Sequence, residues 1–105
     1  MTKDDRRILS AFASSVRNRY PEARIWAFGS RVTGSYTHES DLDVCIVVNQ
    51  LDDTIDKSIM NIAWEIGFEN NMLISTVTYS QDVFEKGPSS ESALVKTVLE
   101  HGVSA

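Results

Sequence analysis

Arg24-Ile25-Trp26-Ala27-Phe28-Gly29-Ser30, followed after ten residues by Asp41-Leu42-Asp43-Val44-Cys45-Ile46-Val47-Val48, decides how this chain folds. The first stretch is a short apolar run closed by a tight Gly-Ser turn, which reads as a buried strand. The second is a longer apolar run that opens on two aspartates. Side chains alternate along a strand, so Leu42, Val44, Ile46 and Val48 share one face. Asp41, Asp43, Cys45 and Val47 share the other. Glycine lets backbone N–H groups approach an anion because no side chain intervenes. A phosphate-sized turn beside two strand-borne carboxylates is the equipment for gripping a triphosphate on one side and a divalent cation on the other.

The flanking sequence supplies the packing. Thr2-Lys3-Asp4-Asp5 reads as a capping box. Behind it Ile8, Phe12, Val16 and Tyr20 recur every four residues beside Leu9 and Ala13, which predicts an amphipathic helix ended by Pro21. Arg31 to Ser40 is polar and reads as a short helical turn running into a loop. Asp52-Asp53 caps a long helix whose core stripe is Ile55, Ile59, Ile62, Ala63 and Ile66, broadened by Met60, Trp64 and Phe68; the alternative for Met60 and Trp64 is an exposed patch for a partner. Asn70-Asn71 is its stop. Met72 to Tyr79, rich in β-branched residues, reads as a third strand. Ser80 to Lys86 reads as a short helix broken by Gly87-Pro88. The last helix is expected over Ser90 to His101, with Leu94, Val95, Val98 and Leu99 inward and Gly102 as its left-handed stop. The order α-β-α-β-α-β-α predicts an α/β (mixed α+β) domain over residues 1–105. Its small mixed β-sheet should carry helices mainly on one face, with the aspartates on the more open face.

Composition narrows the function. The chain has 105 residues, 42% hydrophobic and 24% charged, with a formal net charge of -5. That charge disfavours sequence-independent binding to DNA or RNA, which depends on basic side chains displacing counterions. The single cysteine, Cys45, excludes an internal disulfide and reads as a small buried hydrophobe. No stretch approaches the roughly 20 apolar residues of a membrane span, and the first residues lack an apolar signal-like run. A cytoplasmic protein is expected. His38 in a polar loop reads as surface, and His101 as a residue placed to favour a helix C-terminus.

The site residues can be assigned roles on this reading. Asp41 and Asp43 are oxygen ligands for Mg²⁺, which prefers hard donors and keeps waters and phosphate oxygens in its shell. Ser30 adds a hydroxyl, and the N–H groups after Gly29 face the phosphates. Arg31 either contacts phosphate or pairs with Asp41 or Asp43. Ser40 bonds its own backbone and orients Asp41.

Gly29-Ser30-Arg31-Val32-Thr33-Gly34 followed by Ser40-Asp41-Leu42-Asp43-Val44 resembles the signature of the DNA polymerase beta-type nucleotidyltransferase superfamily, most closely its minimal nucleotidyltransferase (MNT) group. The resemblance implies transfer of a nucleoside monophosphate, AMP from ATP, to a hydroxyl, with two Mg²⁺ ions and release of pyrophosphate. It assigns catalysis and metal binding to Asp41 and Asp43, and nucleotide binding to Gly29, Ser30, Arg31 and Ser40. It further implies a HEPN-type helical partner toxin, which such proteins neutralise as antitoxins, in some cases by attaching AMP to a tyrosine. One departure from the pattern stands out. Alignment puts Ser75 where the family has a third carboxylate, and serine is neither a general base by itself nor a strong metal ligand. Glu65 and Glu69 on the preceding helix are the alternatives. The competing expectation is a catalytically weakened antitoxin that works by binding alone. A stand-alone enzyme acting on a small hydroxylated molecule lacks an acceptor-binding domain here, and D-x-D glycosyltransferases are much larger. A partner protein or a second copy is expected to complete the site.

Overall fold

The first helix starts where its capping box places it. In the computed structural model, which describes residues 1–87 and 92–105, α1 spans Lys3–Arg19, with the Thr2 hydroxyl accepting from the Asp5 N–H at 2.9 Å. Ile8, Leu9, Phe12, Ala13 and Val16 are buried, as the four-residue spacing demands. The chain then forms β1 (Arg24–Phe28), the one-turn α2 (Ser30–Thr33), β2 (Leu42–Val48), α3 (Asp53–Glu69), β3 (Ile74–Ser80), α4 (Gln81–Lys86), α5 (Ala93–His101) and β4 (Val103–Ser104). The expected break at Pro88 and the expected helix start at Ser90 lie outside the described residues. The Ser92 hydroxyl caps α5 by accepting from the Val95 N–H.

The sheet is four-stranded in the order β3-β2-β1-β4. β1 runs antiparallel to β2, and β2 runs parallel to β3 through the α3 crossover. Ile25, Ala27, Leu42, Val44, Ile46, Val48 and Ile74 form one apolar face with α1 and α3. Cys45 and Val47 face the other way, against Phe84, Val95 and Val98 of α4 and α5.

Four expectations need correction. The second sheet face is not generally open: α4 and α5 cover its Cys45–Val47 half, and among the described residues the Asp41–Asp43 end stays more open. Met60, Trp64 and Phe68 do not broaden the α3 core stripe. They are 53%, 67% and 74% exposed, because α3 packs against α1 and the edge strand β3: Ile59, Ala63 and Gly67 are buried, Ile55, Ile62 and Ile66 pack against the same core, and the Met60–Trp64–Phe68 flank lies beyond them. Leu99 is likewise exposed. Gly102 is extended, at φ -66° and ψ 151°. It leads into β4, which pairs with β1 at Trp26 and Ala27. A two-residue strand of this kind carries no period that sequence could reveal.

Candidate active site

Asp43 is the second residue of β2, and its position is fixed from both sides. Across the sheet it pairs with Phe28 of β1, and on the other side with Ser75 of β3. Phe28 hands the chain to Gly29, whose φ of +80° and ψ of -155° suit only glycine. A Cβ built on Gly29 falls 2.5 Å from Asp43 Oδ2. The bare glycine backbone and this carboxylate are therefore packed against each other. Nothing but hydrogen fits between them.

The turn itself is held by Gly29. Its carbonyl accepts from the N–H groups of Val32 and Thr33, and the Ser30 carbonyl accepts from Gly34, which sits at φ +89°. The N–H groups of Ser30 and Arg31 precede the first intrahelical bond. Among the described residues they have no acceptor, so they are available to an anion.

Asp41 and Asp43 flank Leu42, which is fully buried, and both carboxyl groups are half-buried. Burial pushes the Asp43 carboxyl above its ordinary value, and the Asp41 charge pushes it further the same way. Among the described residues neither aspartate forms a salt bridge. Two partly desolvated like charges without a protein counter-ion form an arrangement that a cation relieves.

Arg31 is not that counter-ion, which corrects the expected pairing with Asp41 or Asp43. Arg31 is 6% exposed and pairs with Asp5 of α1, itself 2% exposed, at 3.0 Å. Its remaining nitrogens donate to the Ser40 carbonyl at 2.9 Å and the Thr37 carbonyl at 3.5 Å. Its guanidinium lies 4.9 Å from the centroid of the Tyr36 ring. Arg31 thus ties the loop before Asp41 to the first helix. Ser40 belongs to the same structure: its hydroxyl accepts from the Thr37 N–H at 2.9 Å. It closes the turn that precedes Asp41.

Sequence reasoning missed Asp5 as part of this assembly. A signal was present. Asp5 precedes Ile8 and Leu9 by one helical turn, so it stands at the head of the apolar stripe, where a carboxylate needs a buried partner.

The donor set determines which cation fits. Among the described residues no group of three or more His, Cys, Asp or Glu side chains converges. Asp41 and Asp43, with phosphate oxygens and water, suit one hard dication such as Mg²⁺. Among the described residues the strand neighbour of Asp43 on β3 is Ser75, whose hydroxyl is a weak ligand for a second cation.

An apolar groove adjoins the site. It has a volume of about 330 Å³ and runs along the exposed edge of β3, lined by Met60, Ala63, Trp64, Leu73, Ile74 and Thr76, with Asp41 and Ser75 among its walls. Of its apolar walls Met60, Trp64 and Leu73 are exposed, whereas Ala63 and Ile74 belong to the core.

Residues 9–104 match the Nucleotidyltransferase domain family, and the chain belongs to it. The fold is also that of solved toxin-antitoxin structures. One MntA-HpeT mutant superposes with a TM-score of 0.61 at 16% identity, covering 95% of this chain and 70% of that one. A second MntA-HpeT mutant gives 0.60 at 18% identity over 91% and 69%. A toxin-antitoxin structure with AMP-PNP gives 0.58 at 16% identity over 89% and 68%. No curated protein matches the chain by sequence.

Proposed function

We propose that this chain is a minimal nucleotidyltransferase that binds ATP with Mg²⁺ and transfers AMP to a hydroxyl of a protein partner, a HEPN-type toxin that it neutralises. The observation that carries this reading is the packing of the Asp43 carboxylate against the bare Gly29 backbone, with Asp41 beside it. The likeness to MntA-HpeT structures and to a toxin-antitoxin structure with AMP-PNP supports the nucleotide and the partner. A net charge of -5 fits a protein acceptor better than a nucleic acid. Buried Cys45, with no partner thiol, fits a reducing, cytoplasmic setting.

In this mechanism Asp41 and Asp43 would hold the divalent cation, which neutralises triphosphate charge when bound. The Ser30 and Arg31 N–H groups receive phosphate oxygens, and the Gly29 turn keeps that surface free of side chains. The acceptor oxygen forms a bond to the α-phosphorus as the bond to the bridging oxygen breaks. Pyrophosphate leaves with the electron pair, and the hydroxyl proton passes to water. The role of the aspartates on this reading is to fix charge and geometry.

Label transfer from α-phosphate-labelled ATP tests the proposal, using the chain co-expressed with the product of its neighbouring gene. Transfer by wild type and none by the Asp41→Asn/Asp43→Asn variant is the expected result. Ser75 beside Asp43 favours a second reading, in which the site binds nucleotide but turns over weakly and the protein neutralises its partner by binding alone. On that reading the double variant still neutralises, and Ser75→Asp, which restores a carboxylate at the third position, raises label transfer.

A further inference from the structure

We propose that the α3–β3 groove is the acceptor's docking site, and that its occupant is a protein segment with apolar side chains flanked by lysine or arginine. The inference rests on the nucleotidyl-transfer reading and specifies the acceptor that reading leaves open.

Sheet order gives the direction of approach. The Gly29 turn lies at the end of β1, on one side of β2, and β3 lies on the other. In an in-line displacement the attacking and leaving oxygens sit on opposite sides of the phosphorus. Triphosphate held at the Gly29 turn therefore leaves the β3 side for the acceptor. That is where the groove lies, and its walls include Asp41 and Ser75. A hydroxyl delivered along this groove arrives beside Asp41, the member of the carboxylate pair that lines it, and Ser75, the strand neighbour of Asp43.

The groove surface specifies the occupant. Met60, Trp64 and Phe68 stand at successive i, i+4 positions on α3, and the Trp64 and Phe68 rings stack with centroids 5.3 Å apart. Leu73, 64% exposed, continues the patch onto the approach to β3. A second groove of about 330 Å³ beside Phe68 and Met72 shares the Trp64 and Leu73 walls. Exposed, contiguous apolar surface of this kind marks a protein contact, and aromatic residues are the usual anchors of one.

Charge supplies the flanks. Glu65 and Glu69 run alongside Trp64 and Phe68, and α3 carries no basic residue after Lys57. Asp41 in the groove wall, with the exposed Glu65 and Glu69 on the adjoining helix, attracts a basic segment and repels a phosphodiester backbone. Stacked rings can also hold nucleobases, but here they lack the cationic track that a strand of RNA needs.

The test uses fluorescein-labelled peptide pools with a central tyrosine or serine, each pool fixing one flanking residue type, with an oligouridylate as the nucleic-acid probe. Binding is read by anisotropy on wild type and on Trp64→Ser/Phe68→Ser. Binding of a fluorescent ATP analogue with Mg²⁺ is read on the same samples. Pools with leucine, phenylalanine, lysine or arginine flanks should bind about tenfold tighter than aspartate or glutamate pools, and the double variant should lose about thirtyfold, the size expected for two aromatic anchors. Retained nucleotide binding in the variant assigns that loss to the groove. Equal binding of acidic and basic pools, unchanged peptide binding by the variant, tighter binding of the oligouridylate, or no peptide binding at all would each overturn the proposal. Failure of wild type to bind the nucleotide analogue is a separate result, and it overturns the transferase reading.

Discussion

Two pairs of charged residues meet at the Gly29–Gly34 segment, and they are built in opposite ways. Asp5 and Arg31 are opposite charges, almost wholly buried, with the remaining guanidinium nitrogens satisfied by the Ser40 and Thr37 carbonyls. Asp41 and Asp43 are like charges, half-buried and without a salt bridge among the described residues. The first pair neutralises itself and fixes the loop. The second is left charged on the rigid support that the first provides. A buried arginine within reach of the site would be expected to quench its charge. Here it is anchored to the far helix instead, which keeps the carboxylate pair free for a cation.

Breaking the neutral pair has the largest expected effect. Arg31→Met leaves Asp5 buried and uncompensated, and should cost about 3–5 kcal/mol of stability, read as a lower urea midpoint. Asp5→Leu combined with Arg31→Met should cost clearly less than Arg31→Met alone, since no orphaned charge remains. A double-mutant cycle showing simple additivity would refute the coupling.

Removing a charge from the like-charged pair should affect ligand affinity far more than folding. Asp43→Asn is expected to weaken Mg²⁺-dependent binding of a non-hydrolysable ATP analogue by at least about 100-fold, measured by calorimetry, on the scale of metal-site losses. Unchanged affinity would remove Asp43 from the site.

Gly29→Ala sharpens the comparison because it changes no charge. The left-handed φ alone should cost about 1–3 kcal/mol, and the added methyl displaces the Asp43 carboxylate. Thermal unfolding and nucleotide titration on one sample should register both losses.

The smallest effect concerns pH. The folded protein holds the Asp43 proton more tightly than the unfolded chain does, through burial first and Asp41 second. Ionising Asp43 therefore opposes folding. Its favourable contribution is complete below the unfolded carboxyl value and fades as pH rises through the higher folded value. Without ligand, Asp43→Asn should melt slightly higher than wild type at neutral pH, and that advantage should shrink in acid. Added Mg²⁺ with nucleotide should reverse the order. An advantage that grows in acid would contradict the assignment. Cys45 offers an internal control: burial pushes its thiol up to about 12, so a thiol reagent at neutral pH should label it only after unfolding.

Much of this architecture was legible from sequence. β1 and β2 fall where their apolar runs and turn signals put them, at Arg24–Phe28 and Leu42–Val48. The caps of α1 and α3 lie at Thr2 and Asp52 because short side-chain hydrogen bonds are encoded by neighbours. Ser75 stands directly beside Asp43 on the neighbouring strand. The errors share a cause. Met60, Trp64, Phe68 and Leu99 have core-like identities and helical spacing, yet whether a stripe is covered depends on which element lies opposite.

Sequence by itself determined the local order of helices and strands, the two faces of β2 and the turn that only glycine can make, because each is a property of a few adjacent residues. Tertiary structure alone decided that Arg31 belongs to Asp5, that among the described residues the Asp41–Asp43 end stays more open, and that the edge of β3 carries an apolar groove. Those outcomes depend on contacts between segments distant in the chain, and neither periodicity nor spacing encodes what a side chain meets across the fold.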